Sequence, residues 1–458
     1  MGKYTLLNHT LDAIPGSDKI VRVLESALIA ADPFQAVRVA LDLQDGVLHI
    51  GDYRYDLALF SRIFVVAFGK ASLAMTLGLA ATLGERLSGG IVVLKHAPAD
   101  GASSGLPAAI KVLVGGHPVP DSGSLESARQ VFEFARQLKA DDLVFCLISG
   151  GGSALLSLPA GEIALLDIQG LTGLLLASGA NIGEMNTLRK HIDQIKGGGL
   201  ARAIHPANLV TLVLSDVIGS PLDVIASGPT TADPSTFLDA MNVIQKYHLE
   251  EKTPLAIRRW LEAGLQGNIP ETVKPGDPVL AAADIKVISS NFQAAQAAVL
   301  TARQEGFDSQ LLTTFLNGEA RQAGNFMAGI LRQMASSDQP VRRPGCLVLG
   351  GETTVTLRGS GLGGRNLETA LGAVYGAAGL EKAFLITLAT DGEDGPTDAA
   401  GAVITGETLK RGIAQGLAPG DFLDRNDSYS YFEQLGDLIQ TGPTGTNVND
   451  LAFLFTLV

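Results

Sequence analysis

The chain has little cysteine, few aromatic side chains and no excess of basic charge. Its two cysteines, Cys146 and Cys346, lie in apolar runs, which excludes a disulfide framework and indicates two buried thiols. Lysine and arginine number 34 against 47 aspartates and glutamates, so the net charge of −13 argues against a nucleic-acid or anionic-membrane partner. No apolar run has the length of a membrane span or a signal peptide. We therefore expect a cytoplasmic protein.

Short apolar segments alternate with glycine-rich loops and helical stretches along the 458 residues, which include 54 glycines. A chain of this length exceeds one hydrophobic core, so we expect at least two domains. Because the segments are apolar on both faces, they predict parallel strands covered by helices, an α/β fold. The first series comprises 63–68, 90–95, 110–115, 143–149 and 209–215; the second comprises 285–291, 345–351, 355–359 and 384–391.

A polar stretch at 249–278, rich in proline and charge, is the best candidate for a domain boundary. We predict a Rossmann-like N-terminal domain over 1–280, with a mostly parallel sheet, and a second α/β domain over 281–458. Residues 18–44 have helical spacing and predict amphipathic helices. Each half contains a strand that ends in a glycine pair and another that ends in aspartate, which favours a ligand site in a cleft between the two domains.

Three glycines follow the apolar segment at 143–149 and precede a helical stretch. The N–H groups of Gly150, Gly151 and Gly152 at a helix N-terminus form a cradle for an anion, flanked by Ser149 and Ser153. No Gly-Lys-Ser/Thr follows, so the segment is not a Walker P-loop. The alternative is a tight strand-to-helix turn, and we favour phosphate binding.

Basic side chains accompany the glycine-rich segments. Lys70 follows a strand directly and opens a helix, the position where ligands bind in open α/β sheets. Arg365, beside Asn366 at a helix start, can donate two parallel hydrogen bonds to a carboxylate or phosphate. Arg189 and Lys196 precede another glycine triplet, where a plain helix end and substrate contact remain equally open.

Aspartates end several of the predicted strands. Asp216, Asp391 and Asp450 are candidate ligands for a hard cation such as Mg²⁺, which takes one or two carboxylates together with substrate phosphates. A single aspartate in a loop is more often a turn former or a helix cap. Several near one glycine-rich cleft favour the metal.

Two other motifs have competing explanations. The segment 359–364 fits G-x-G-x-x-G, but the strand predicted before it alternates with polar residues, and Asp391 follows later than the usual interval of about 20 residues. A dinucleotide site there is therefore weakly supported.

His117, next to prolines in GGHPVPD, is interpreted as part of a rigid loop rather than as a base.

Eight motifs, in order along the chain, resemble the glycerate 2-kinase family with a C-terminal MOFRL domain. The match runs from about residue 20 to the end, and the longer motifs are highly specific. Some members of the family have been labelled hydroxypyruvate reductases. The motifs are FGKAS, GGHPVPD, SGGGSALL, NTLRKHIDQIKGGGLA, LSDVIGSPLDVIASGPT, GGETTVTLRGSGLGGRN, ATDGEDGPTDAAGA and TGPTGTNVNDL.

The resemblance implies ATP- and Mg²⁺-dependent transfer of phosphate to the 2-hydroxyl of D-glycerate, with the active site between two α/β domains. The family's active-site lysine falls on Lys70 and its arginine on Arg365. Ser220 stands where relatives commonly have an acidic residue. If that carboxylate holds the metal in relatives, either Asp216 or Asp223 serves here or the metal site is altered.

We therefore expect a phosphotransferase whose residues fall into four groups, and we leave a homo-oligomer open. The alternatives are an NAD(P)-dependent hydroxypyruvate reductase and a non-catalytic protein that binds a sugar acid or a nucleotide. The groups are a catalytic set (Lys70, Arg365, Asp216), an ATP set (Ser149, Gly150, Gly151, Gly152, Ser153, Lys196), a glycerate set (Lys70, Arg189, Arg365, Asn366) and Mg²⁺ ligands (Asp216, Asp391). Asp216 or Asp391 could also orient the attacking hydroxyl.

Overall fold

Helices and strands alternate along residues 4, 6, 8–98, 101 and 104–458, which this computed structural model describes. The predicted domain 1–280 includes a few positions, such as residues 1–3, outside the described residues. The helices are α1 (His9–Asp12), α2 (Ser17–Ala31), α3 (Pro33–Ala40), α4 (Ser72–Leu83), α5 (Ser122–Ala135), α6 (Gly152–Leu155), α7 (Leu165–Ala177), α8 (Ile182–His191), α9 (Gly199–Ile204), α10 (Phe237–Lys246), α11 (Leu255–Leu265), α12 (Asn291–Gln304), α13 (Ala320–Ser337), α14 (Arg365–Ala377), α15 (Thr408–Ala414), α16 (Pro419–Asp424) and α17 (Ser428–Leu435). The strands are β1 (Asp42–Gln44), β2 (Val47–Ile50), β3 (Tyr53–Asp56), β4 (Arg62–Phe68), β5 (Leu87–Leu94), β6 (Ile110–Val114), β7 (Asp142–Ile148), β8 (Asn208–Leu214), β9 (Ala283–Ser289), β10 (Asp308–Leu316), β11 (Gly345–Gly351), β12 (Ala383–Ala389), β13 (Gly401–Thr405), β14 (Leu438–Ile439) and β15 (Asp450–Thr456).

The chain divides into two compact units. The N-terminal unit comprises Pro33–Ser215 and Ser220–Ile288. The C-terminal unit comprises Ser289–Val458, the short segment Asp216–Gly219 and the described residues of Met1–Asp32. By its contacts the chain therefore changes units at Ser289, and the predicted domain boundary at residue 280 stays a prediction.

A six-stranded sheet forms the centre of the N-terminal unit, in the order β6-β5-β4-β7-β8-β9. The pairs β6–β5, β5–β4, β4–β7 and β7–β8 are all parallel. From β4 the chain runs outward through β5 to β6, then returns to β7 on the other side of β4. The neighbours β4 and β7 therefore flank the topological switch point, where open α/β sheets bind ligands beyond the strands' carboxyl ends.

The C-terminal unit contains a mixed six-stranded sheet in the order β10-β11-β15-β12-β13-β14. Strand β15 is antiparallel to both β11 and β12, whereas β10 and β11 are parallel. In this register Asp450, the first residue of β15, lies between Gly351 at the end of β11 and Ala389 at the end of β12. One edge of the sheet therefore gathers the residues that follow β11 and β12 and those that precede β15.

Helix α2 belongs to the C-terminal unit because it packs against α12. Its buried positions include Ile20, Val23, Leu24 and Leu28, which recur at the spacing of one helical face. Each side chain of this kind contributes roughly 1.5–3 kcal/mol when fully buried. The packing of this face outweighs proximity in sequence, so the first long helix joins the second half of the chain.

The predicted α/β class and the two α/β domains are confirmed, as are the helices within 18–44 and most of the predicted strands. The strand predicted at 355–359 is wrong, because that segment has no regular structure. Strand β9, taken from the sequence as the start of the second series, is instead an edge strand of the N-terminal sheet. Among the described residues, no helix has the length and apolar character required to cross a membrane.

Candidate functional site

Lys70 and the glycine triplet lie side by side at the switch point of the N-terminal sheet. Phe68 and Ile148 are paired at the carboxyl ends of β4 and β7, so the loops that follow run next to each other. Lys70 N–H donates to the Gly150 carbonyl at 2.9 Å, and the Ser149 hydroxyl accepts from Ala71 N–H at 3.0 Å. The structure thus brings together two segments that the sequence separates by about 80 residues.

Gly151 separates the side chains of Lys70 and His117. Its φ of +83° lies in the left-handed region, which favours glycine. A Cβ at this position would lie 2.9 Å from His117 Cδ2, 3.1 Å from its Nε2 and 3.4 Å from Lys70 Cγ. The imidazole edge and the lysine side chain therefore converge on the bare backbone of the glycine loop.

A strained turn at 226–228 contacts Ser153, which follows the glycine triplet. Ala226, Ser227 and Gly228 all have left-handed φ values, at 51°, 60° and 61°. The Ser227 hydroxyl lies 2.7 Å from the Ser153 hydroxyl and donates to Asn186 Oδ1 at 3.0 Å. Consecutive left-handed residues other than glycine are costly and concentrate at functional sites.

Arg189 and Lys70 are cations without an acidic partner among the described residues. Arg189 is half-buried and makes one long hydrogen bond, 3.5 Å from Nη1 to Asn186 Oδ1. Burial lowers the pKa of its guanidinium, because desolvation disfavours the charge. Lys70 is exposed. Lys70 lies beside the backbone of the glycine loop, and Arg189 is connected to that loop through Asn186 and Ser227. In a chain of net charge −13, this arrangement favours an anion as the ligand.

Lys196, whose predicted contact with ATP stays a prediction, lies in a buried ion pair. Its Nζ is buried, lies 2.6 Å from Asp193 Oδ2 and donates to the Leu156 carbonyl at 3.2 Å. Leu156 is the C-cap of α6, the short helix that begins within the glycine triplet. Asp193 also accepts from the Ser157 hydroxyl and from Leu158 N–H. Lys196 is thus placed to stabilise the C-terminal end of α6.

In the C-terminal unit, Arg365 lies between two carboxylates at the sheet edge. Its Nε is 2.5 Å from Asp450 Oδ2, and its Nη1 is 2.5 Å from Glu352 Oε1. Glu352 directly follows β11, so the strand register described above places both acids at this edge. Burial raises the pKa of Asp450 to about 7, although the arginine opposes this. The guanidinium is held in one orientation and remains partly exposed.

Asp394 fixes the start of α14, the helix that Arg365 opens. Its Oδ1 accepts from Asn366 N–H at 2.9 Å and its Oδ2 from Leu367 N–H at 2.8 Å. It serves as the helix cap because the N-cap residue, Gly364, has no side chain. Burial raises the pKa of Asp394 to about 6. Asn366 is buried beside this cap, so its predicted contact with substrate stays a prediction.

Asp391 and Asp216, the predicted metal ligands, are connected through two asparagines of the C-terminal unit. Asn447 Nδ2 donates to Asp391 Oδ2 at 3.1 Å, and Asn449 Nδ2 donates to the Asp216 carbonyl at 2.8 Å. Asn449 N–H in turn donates to Asn447 Oδ1 at 2.9 Å. Burial raises the pKa of Asp391.

Mg²⁺ binds through one or two carboxylates and leaves its other positions to phosphate and water, and the predicted role of Asp391 and Asp216 as its ligands stays a prediction. Asp391 is half-buried and has no ion pair with a lysine or arginine among the described residues. The same residues contain no cluster of three or more His, Cys, Asp or Glu side chains able to hold a metal. Asp223, the other candidate, lies 3.2 Å from Lys190 Nζ, and Ser220 supplies no carboxylate.

The glycines of 359–364 are explained by chain packing. A Cβ on Gly359 would lie 2.4 Å from the Arg425 carbonyl oxygen, and one on Gly361 would lie 2.4 Å from Asp427 Cβ. One on Gly363 would lie 2.3 Å from the Ser428 hydroxyl. These glycines allow 359–364 to lie against 425–428, an arrangement that does not resemble the strand–turn–helix of a dinucleotide site.

Several supporting residues were not predicted from the sequence, among them His117 as a neighbour of Lys70. Asn186 and Ser227 lie inside motifs that were recognised, but their mutual contact depends on tertiary structure. Glu352 could have been found from its position directly after a buried strand. Asp394 could not have been identified as a cap for α14, because the helix start and the aspartate are 28 residues apart.

Comparisons with known proteins agree with this architecture. Residues 19–262 match a family model described as a domain of unknown function (DUF4147), and residues 345–450 match the MOFRL family. The chain is 43% identical to a D-glycerate 2-kinase of Thermotoga maritima over 390 residues, which cover 85% of this chain and 89% of that protein. It is also 43% identical to a putative hydroxypyruvate reductase of Agrobacterium vitis, over 85% of this chain and 86% of the other. The crystal structure of a glycerate kinase from Thermotoga maritima superposes with a TM-score of 0.86 at 39% identity, covering 97% of this chain and all of that one.

Proposed function

Since the chain belongs to the glycerate 2-kinase family, we propose that it transfers the γ-phosphoryl group of ATP to the 2-hydroxyl of D-glycerate, giving 2-phosphoglycerate and ADP. The observation that carries the proposal is Lys70, which has no acidic partner among the described residues and lies beside the glycine loop at the switch point. Arg189 is connected to the same loop through Asn186 and Ser227. Phosphoryl transfer needs mainly positioning and positive charge, and this arrangement supplies both without an unusual nucleophile.

In the N-terminal unit, the backbone amides of Gly150–Gly152 and the hydroxyl of Ser153 bind the phosphates of ATP. Lys70 stabilises the charge on the transferring phosphoryl group. Arg189 binds an anionic group of the substrate, for which its half-buried, unpaired guanidinium is suited.

In the C-terminal unit, Arg365 binds the glycerate carboxylate or the same phosphoryl group. Its guanidinium is already fixed by Asp450 and Glu352, so little side-chain entropy remains to be lost when a ligand binds. Asp391 and Asp216 would hold Mg²⁺, which neutralises charge on the phosphate oxygens. That Lys70 and Arg365 act in one reaction, at an active site shared by the two domains, is part of the proposal.

The reductase alternative is not favoured. It requires 359–364 to accommodate a dinucleotide, whereas the glycines of that segment approach the backbone of 425–428. Incubation with hydroxypyruvate and NADH or NADPH, followed by absorbance, tests the alternative directly. Oxidation of the nucleotide at a rate comparable to phosphorylation would reinstate it.

The decisive experiment for the kinase is product analysis. The protein is incubated with ATP, Mg²⁺ and D-glycerate, and phosphorus NMR distinguishes 2- from 3-phosphoglycerate. We expect 2-phosphoglycerate in amounts equal to the ADP formed, and no turnover when the metal is chelated. Tight ATP binding without any phosphorylated product would favour the non-catalytic alternative.

A further inference from the structure

We propose that His117 is the general base that accepts the proton of the attacking hydroxyl group. The inference rests on the proposed kinase function and adds a residue that its motif indicates only as part of a rigid loop. It begins from the position of the imidazole, which lies against Gly151 on the side where Lys70 also approaches. An acceptor bound to Lys70 and the glycine loop would meet this ring.

The imidazole has no hydrogen-bond partner among the described residues, although it is only half exposed. Polar side chains nearby form hydrogen bonds: the half-buried Ser153 and the buried Ser149 and Asn186 each bond a neighbouring group. If the ring served only to stiffen its loop, we would expect it to form a hydrogen bond with a group of that loop. Polar groups left unpaired in such a site are available to a ligand.

The charges around the ring favour the neutral form that a base requires. Lys70, which precedes α4, and Lys95 and His96, which follow β5, all act electrostatically on the imidazole. Burial and these three groups lower the pKa of His117, so that the ring is unprotonated at neutral pH. The nearby carboxylate of Asp121, the N-cap of α5, is engaged by Gly116 and Ser124 N–H groups.

Ligand binding reverses part of this effect. A triphosphate in the glycine loop would bring negative charge next to Lys70, so the repulsion that lowers the pKa of His117 would fall. The imidazole then becomes a stronger base only when ATP is present. This coupling would activate the acceptor hydroxyl in the complex and leave the free enzyme's base weak.

The step balances without a further reagent. The 2-hydroxyl oxygen of the acceptor forms its bond to the γ-phosphorus as its O–H proton passes to Nε2 of His117. The bond between the γ-phosphorus and its bridging oxygen breaks, and the electron pair leaves with ADP. The imidazolium returns its proton to solvent after the products dissociate.

The test compares His117→Gln and His117→Ala with wild type. Glutamine retains hydrogen-bonding ability but cannot accept the proton, so we expect both variants to lose about 10²–10⁴-fold in kcat. The KM for ATP should change much less, and the decline of kcat at low pH that belongs to His117 should disappear. Near wild-type kcat in His117→Gln, or an unchanged low-pH decline, would overturn the assignment.

A second measurement does not depend on turnover. The ring of His117 is titrated by NMR in the wild-type protein, with and without a non-hydrolysable ATP analogue, and His117→Gln assigns its signal. We expect the pKa to rise when the analogue binds; no change would place the ring away from the phosphates and refute the coupling. His248→Asn is the matched control, because His248 is exposed and its left-handed φ of 54° suits asparagine. Wild type that forms no 2-phosphoglycerate would instead refute the proposed function, whatever the variants do.

Discussion

Replacement of Lys196 by methionine should destabilise the N-terminal unit strongly. The side chains of Lys196 and Asp193 are 3% and 2% exposed, and their charged atoms are 2.6 Å apart. Methionine fills much of the volume but leaves Asp193 as a buried charge without its cation. Removing one partner of a buried ion pair typically costs about 3–5 kcal/mol, which for a unit of this size lowers Tm by roughly 6–20 °C.

Lys246→Met provides the matched control. Lys246 also contacts a carboxylate, at 2.5 Å from Glu184, but its side chain is 60% exposed. Exposed ion pairs contribute little, so this variant should unfold close to the wild-type temperature. Asp193→Asn combined with Lys196→Met should recover part of the loss, because the orphaned charge is then absent.

Thermal unfolding followed by circular dichroism and steady-state kinetics separate the two roles of Lys196. If the lysine holds the end of α6, Tm falls and the KM for ATP rises because the glycine loop loses its support. If it contacts the nucleotide, as the sequence analysis predicted, the KM rises while Tm stays unchanged. Equal Tm values for Lys196→Met and Lys246→Met would refute the structural argument.

Three further substitutions test the site. Lys70→Ala should lower kcat about 10²–10³-fold with Tm preserved, because the side chain is exposed; full activity would remove it from the mechanism. In Gly151→Ala a left-handed alanine costs about 1–2 kcal/mol and its Cβ meets His117, so the free loop should relax away from the conformation that binds phosphate. Restoring that conformation should weaken ATP binding by about tenfold in calorimetry, and unchanged affinity would contradict the packing. The raised pKa of Asp394 adds stability that is present below about pH 4 and is lost as pH rises through about 6. In Asp394→Asn, the free energy of unfolding measured in urea should therefore lack this fall with pH, and an identical pH dependence in the variant would refute the raised pKa.

The sequence predicted which segments lie together where those segments directly follow strands. Lys70 and the glycine triplet were found because loops at the carboxyl ends of parallel strands meet at one edge, and the sheet order then places them together. The segment 355–359 was misread because alternation alone cannot tell a strand from an extended loop. The roles of Lys196 and Asp394 depend on which distant backbone groups they reach, and local pattern carries no such information.

Strand β15 occupies the middle of the C-terminal sheet, yet it is synthesised after every other strand of that sheet. Until it inserts, β11 and β12 expose apolar edges that have no antiparallel partner, a state open to pairing with other chains. Helix α2 likewise emerges about 260 residues before its packing partner α12. Such non-local pairings slow folding, so this unit should depend on chaperones more than the N-terminal unit does.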